Sequence, residues 1–135
     1  IAPVRDTAIS LSNDALAQAV QDLTNHQPLN HRTRSAHAAA WSDLHGAILM
    51  AREDVGRHNA LDKLLGAILL KGKPRSDGFV VMSSRCSYEL VEKAARLQVP
   101  AIVSLSGPTT FAIKKAAECN MALYCRQGDG FVLIL

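Results

Sequence analysis

The stretch AREDVGRHNALDK, Ala51 to Lys63, sets two acids, two arginines, a histidine and an asparagine ahead of an Asp-Lys end, between the apolar runs AILM and LLGAILL. Side chains of these types bind and orient anions. Arginine offers a planar fork to phosphate oxygens, imidazole adds a donor, and carboxylates hold such groups in place. Two further stretches, SSRCSYE at 83–89 and SGPTT at 106–110, bring hydroxyls to the starts of later apolar repeats.

These residues need a frame. At about 100° per residue, a helix over roughly 55–70 has its apolar stripe at Leu61, Leu64, Leu65 and Ile68. Traced back, that stripe passes through His58, Arg57 and Asp54. The next helix, about 87–98, has Leu90, Val91, Ala94 and Leu97, and its stripe passes back through Ser87. The helix reaching Asn120 uses Ala112, Ile113, Ala116 and Ala117, and passes through Thr109. Each helix is thus expected to aim a first-turn polar group inward, and inward polar groups need partners. The local alternatives are plain: Asp54, Ser87 and Thr109 are each suitable caps, and an inward histidine is often satisfied within the core.

The remaining elements follow from pattern. Ser12 is a fair N-cap for a helix over 13–25 with Leu16, Ala19, Val20 and Leu23 on one face. Residues 1–12 read as an extended linker, and 26–36 as a polar loop. HAAAW and GAILMAR flank SDLH as an antiparallel hairpin. FVVMS, AIVSL, MALYC and FVLIL read as strands, with KGKPRSDG a loop and RQGDG a tight turn. Pro108 sits where a helix start tolerates proline, and Glu89 and Lys93 stand at i,i+4. Uninterrupted apolar strands alternating with helices predict a three-layer α/β domain, its mixed and mostly parallel sheet covered on both faces. Ligands of such sheets bind beyond the carboxyl ends of the strands, where helix N-termini suit phosphate. Arg52, Arg57, Arg85 and Arg126 are the cations within reach of that edge. Phe111 falls on one face with Lys114, Lys115 and Glu118 as an expected subunit contact.

Bulk properties narrow the classes. A chain of 135 residues is one domain's worth, with 48% hydrophobic and 20% charged residues. A net charge of +3 and only 4% aromatic residues fit an anionic ligand but not nucleic acid. No apolar run approaches the length of a membrane span. Three cysteines, Cys86, Cys119 and Cys125, include no C-x-x-C pair, so reduced thiols and a cytoplasmic location are expected. Cys86 lies beside Arg85 near a helix start, a setting that lowers a thiol's pKa, although a lone cysteine of this kind more often packs. A deaminase-type zinc site would need a Glu two residues after His58, where Ala60 stands, and a P-C-x-x-C on the next helix. No metal is expected.

EDVGRHNALDK (53–63), SSRCSYELVEKAA (83–95), SGPTTFAIKKAAE (106–118) and RTRSAHAAAW (32–41) together resemble the signature segments of the formate dehydrogenase accessory sulfurtransferase family, FdhD. The resemblance spans residues 12–135 and implies a cytidine deaminase-like fold without zinc. It implies a protein that carries persulfide sulfur from a cysteine desulfurase to the molybdenum bis-guanine-dinucleotide cofactor of apo-formate dehydrogenase, with GDP or GTP as mimics, as a cytoplasmic homodimer. The residues it assigns to the cofactor, together with those on the three stripes, are His37, Arg57, His58, Ser84, Arg85, Ser87, Ser106, Thr109 and the run Arg126, Gln127, Gly128, Asp129, Gly130 and Phe131. Glu53, Asp54, Asn59 and Asp62 are expected to orient arginines or brace the helix. The family's C-x-x-C lies ahead of the matching region, so the chain, which opens on Ile1, is expected to be the C-terminal, cofactor-binding part of a longer protein and inactive alone. The family's Thr-Gly-Gly appears as Thr33, Arg34 and Ser35, and Asp129 stands near the expected phosphates. Two other readings stay open: a non-catalytic module that delivers the cofactor or docks the dehydrogenase, and a zinc-free nucleotide sensor.

Overall fold

The computed structural model describes residues 11–72, 77–127 and 130–133. Most of the expected linker lies outside them, as do Gly128 and Asp129. The two linker residues that are described belong to the fold: Leu11 is buried, and Ser12 caps α1 (Asn13–Leu23) by accepting the Ala15 N–H at 3.1 Å.

A six-stranded sheet forms the middle layer. Its strands are β1 (His37–Asp43), β2 (Ile48–Asp54), β3 (Gly78–Met82), β4 (Ala101–Ser104), β5 (Ala122–Gln127) and β6 (Gly130–Leu133), in the spatial order β2-β1-β3-β4-β5-β6. β3, β4 and β5 pair in parallel, while β1 is antiparallel to both neighbours and β6 to β5. It follows that β2, β3, β4 and β5 run in one sense and bring their carboxyl ends to one edge. The starts of β1 and β6 share that edge.

The hairpin expected at SDLH forms. Gly46 turns it with φ +94°, and a side chain there would run into the backbone of Ala15. Asp43 braces the same turn by accepting the N–H groups of His45 and Ala47.

Alternation of side chains divides the core in two. On one face, Ala39, Trp41, Val80, Met82, Ile102 and Leu123 pack against α3 (Arg57–Leu70), α4 (Tyr88–Arg96) and α5 (Thr110–Glu118). On the other, Ala38, Ala40, Phe79, Val81 and Val103 pack against Leu16, Ala19 and Leu23 of α1. The α3 stripe of Leu61, Leu64, Leu65 and Ile68 is buried as its spacing predicts. Glu89 in the first turn of α4, and Lys93 and Arg96 in its last, complement the helix dipole.

Three local expectations are corrected. Residues 26–36 are not all loop: after a 3-10 turn, Pro28–Thr33 form a short helix, α2, with proline in its first turn. Pro108 does not open α5, because Thr109 is the N-cap and accepts the Ala112 N–H. Lys93 turns away from Glu89 and reaches across to Asp62 of α3 at 3.1 Å. Among the described residues no helix is long and apolar enough to cross a membrane.

Candidate functional site

The two acids that end β2 serve opposite faces of the sheet. Glu53 pairs with Ala38 in register and accepts the N–H groups of Leu29 (2.8 Å) and Asn30 (2.9 Å), closing the N-terminus of α2 with both its oxygens. Asp54 pairs with His37 and meets Lys63 of α3 at 2.7 Å, while its Oδ1 accepts the Gly56 N–H. These contacts, led by the Lys63 hydrogen bond and joined by one from Asn59, hold the Asp54 carboxyl below its usual pKa. Asp54, Asn59 and Asp62 therefore brace the β2–α3 turn and the α3–α4 contact rather than any arginine, and Glu53 fastens α2.

The inward stripe extends less far back than its spacing predicts. Arg57 is exposed, and the His58 side chain keeps 34% of its surface, with Nδ1 3.8 Å from a carboxylate oxygen of Glu89. The reason is positional: α3 starts beyond the end of β2, so its first turn overhangs the edge instead of lying on the sheet.

The next two turns are tied together. Arg85 Nε donates to the Gly107 carbonyl at 3.1 Å, and the Thr109 N–H donates to the Cys86 carbonyl at 3.0 Å. Ser84 is buried and donates to the Arg85 carbonyl; buried Ser104 donates to the Ser106 carbonyl, leaving Ser106 itself exposed. Thr109 is satisfied as a cap, its local reading. Ser87 differs. It holds the N-cap position of α4 but makes no cap bond, and its buried Oγ has no hydrogen-bond partner among the described residues. A buried hydroxyl at this edge calls for a partner that the protein itself does not supply among the described residues. Further along, Arg126 and Gln127 are exposed at the end of β5, opposite Phe131 and Gly130, and Phe131 packs toward the α1 side of the core.

Cys86 is settled by burial. It is fully enclosed, and desolvation pushes its thiol up to about 12, overriding Arg85 and the helix start. Cys119 is also buried, while Cys125 is partly exposed. Among the described residues no three His, Cys, Asp or Glu side chains are grouped to hold a metal ion.

One feature was not legible in the sequence. Where α2 meets the starts of β1 and the β3–α4 loop, a cleft of about 480 Å³ opens, with Gln27, Asn30, Arg34, Ser35, His37 and Ser83 as its polar wall and Ala36 and Leu105 as its apolar one. Ser83 anchors the cleft by accepting the Ala38 N–H at 2.8 Å. It lies toward the α1 side, since Leu105 packs on that cluster. Of the residues expected at the site, only His37 lines it. A second depression of about 450 Å³ lies between α4 and α5, beside the edge-to-face pair of Tyr88 and Phe111. Phe111 is 70% exposed there with Lys114, Lys115 and Glu118, as their shared helical face predicts.

Comparison with known proteins agrees with this layout. The model of the FdhD/NarQ family matches residues 1–132. The chain is 51% identical over 119 residues to the sulfur carrier protein FdhD of Burkholderia cenocepacia, covering 87% of this chain and 43% of that protein. It is 48% identical over 134 residues to the protein of the same name from Chromobacterium violaceum, covering 96% of this chain and 49% of that protein. The chain thus spans about half the length of these curated relatives. A crystal structure of a candidate formate dehydrogenase accessory protein from Desulfotalea psychrophila superposes with a TM-score of 0.86 at 28% identity, over 98% of this chain and 56% of that one. Sequence and fold give one answer over nearly every residue: the chain belongs to the FdhD/NarQ family.

Proposed function

We propose that this chain is the cofactor-holding part of a cytoplasmic sulfur carrier. In that role the whole protein takes persulfide sulfur from a cysteine desulfurase and passes it to the molybdenum bis-guanine-dinucleotide cofactor that apo-formate dehydrogenase will receive. The cofactor is cargo, and the edge where β2, β3, β4 and β5 end is its seat. The observation that carries this reading is the orphaned Ser87 hydroxyl, buried among backbone turns that also present Arg57, His58, Ser84, Arg85, Ser106 and Thr109. At about 4.8 Å per strand, a six-strand edge runs about 24 Å. That is room for an elongated dinucleotide rather than a small substrate. Arg57, Arg85 and Arg126 supply the forks for its phosphates. The names of the relatives support sulfur carriage as the purpose.

The thiols here favour a binding role for this part of the protein. Cys86 and Cys119 are buried, and Cys125 is partly exposed but has no C-x-x-C partner; in this reading the sulfur-carrying cysteine belongs to another segment, which would meet the cofactor above the edge. A homodimer, with Phe111 at the contact, remains part of this proposal.

The test is maturation of formate dehydrogenase in cells lacking their own carrier. The intact protein with Arg57→Ala and His58→Ala together should lower dehydrogenase activity by about tenfold or more at equal protein level, the loss expected for charged hydrogen bonds to cargo. Full activity from that variant would remove the edge from the mechanism.

A further inference from the structure

One carboxylate ties α2 to the sheet. Asn30 is the one partly covered residue of this helix, and the rest are exposed. Its N-cap residue, Gln27, makes no side-chain cap bond, and two free N–H groups of the first turn go instead to the Glu53 fork, at 2.8 and 2.9 Å. His31 Nε2 lies 2.8 Å from the Thr24 carbonyl oxygen, but Thr24 is on the same arm of chain and gives no hold on the sheet. So short a helix is not stable alone, and segments with little burial and few anchors are the first to open. Both ends suit a hinge, since Gln27 (φ −121°, ψ 54°) and Arg34 (φ +59°) lie outside the helical region.

The other side of this tie is fixed. Lys63 of α3 donates to the Glu53 carbonyl at 3.0 Å and grips the neighbouring Asp54 at 2.7 Å. A break therefore falls between the Glu53 carboxylate and α2. What α2 covers is the cleft of about 480 Å³: Asn30 and the C-cap Arg34 are part of its wall. Asn30 Oδ1 also accepts the Ala36 N–H at 3.3 Å. Ala36, on the apolar wall, is only 6% exposed, while its neighbour Ser35 is open to solvent. Swinging α2 outward takes Asn30 off Ala36 and uncovers that wall.

We propose that α2 is a hinged lid on this cleft, that the Glu53 carboxylate is its latch, and that the wall at Ala36 is reached only when the latch lets go. The two acids that end β2 then divide the work: Glu53 releases, and Asp54 stays. Asp54 keeps Lys63 and the Gly56 N–H, so the start of α3 holds its place while the lid moves. The lid is a device of access to the α1–α2 side of the sheet, and it stands whether or not the strand-end edge seats a cofactor.

Thiol labelling of the full chain tests it. Ala36→Cys places a thiol under the lid, Ser35→Cys places one outside it, and the native Cys119 is a buried core thiol. Iodoacetamide with peptide mapping gives the rate at each. Ala36→Cys should react much more slowly than Ser35→Cys, and adding Glu53→Ala should speed it about tenfold, the loss of two hydrogen bonds to a charged group, with Cys119 unchanged. Trypsin reads the same motion with Ala36 left intact: cleavage after Arg32 and Arg34 should quicken by a similar factor in Glu53→Ala. The lid is wrong if Ala36→Cys already reacts as fast as Ser35→Cys, or if Glu53→Ala changes neither labelling nor cleavage. It is equally wrong if Cys119 speeds up as much as residue 36, since the opening is then that of the whole fold.

Discussion

Glu53 at the end of β2 holds Asn30 of α2 by accepting its backbone N–H at 2.9 Å, across 23 residues of sequence. The same carboxylate takes the Leu29 N–H. A six-residue helix has little stability of its own, so this fork is what keeps α2 against the sheet. Glu53→Ala should cost about 1 kcal/mol. Amide exchange should quicken in Leu29–Thr33 and not in α1. Unchanged protection of that segment would show that α2 is held by other means.

Asp54 and Lys63 give the fold an acid-sensitive latch. The folded carboxyl titrates below the ordinary value of 3.8, so its contribution is present above that value and fades as pH falls through the lower, folded pKa. Lys63→Met removes the largest cause of the shift. The variant should lose stability relative to the parent at neutral pH, and the difference between them should shrink as pH falls below the ordinary carboxyl value of 3.8. Chemical denaturation at several pH values measures it; a constant difference would dissociate the pair from the acid limb.

Arg34 ends α2 with φ +59°, a conformation that favours glycine. Arg34→Gly should therefore raise stability by about 1 kcal/mol in chemical denaturation. A variant with lower stability would show that the guanidinium contributes to the fold instead.

The Cys86 thiol, pushed up to about 12 by burial, should resist alkylation in the folded protein at pH 8, whereas partly exposed Cys125 should react first. Peptide mapping after iodoacetamide treatment distinguishes them. Early modification of Cys86 would reopen it as a reactive group.

Ser87→Ala separates ligand from fold. Removing a buried hydroxyl that lacks a partner should leave stability unchanged or raise it by up to about 1 kcal/mol. The same change should weaken binding of guanine nucleotide. Destabilisation by the substitution would mean that the hydroxyl is satisfied within the protein.

The sheet and α3–α5 were legible because their apolar spacing is long and regular. Leu61, Leu64, Leu65 and Ile68 declare both a helix and its buried face. α2 was not legible: PLNHRT has no apolar period, and the carboxylate that closes it lies 24 residues away. Gln27 gave no signal for the same reason, since its burial comes from tertiary packing. Extending a stripe past the point where the helix leaves the sheet matches the burial of the Ser87 hydroxyl but sets Arg57 too deep. Cys86 shows two local electrostatic cues overridden by desolvation, a quantity that spacing does not carry.

Most direct for the central claim is amide hydrogen exchange of the full chain with and without saturating GDP. The account predicts slowed exchange along the carboxyl edge, at 56–58, 83–87, 105–109 and 126–127, and at His37 where β1 starts. Protection confined to the outer faces of α4 and α5, or no change at the edge under saturation, would contradict it.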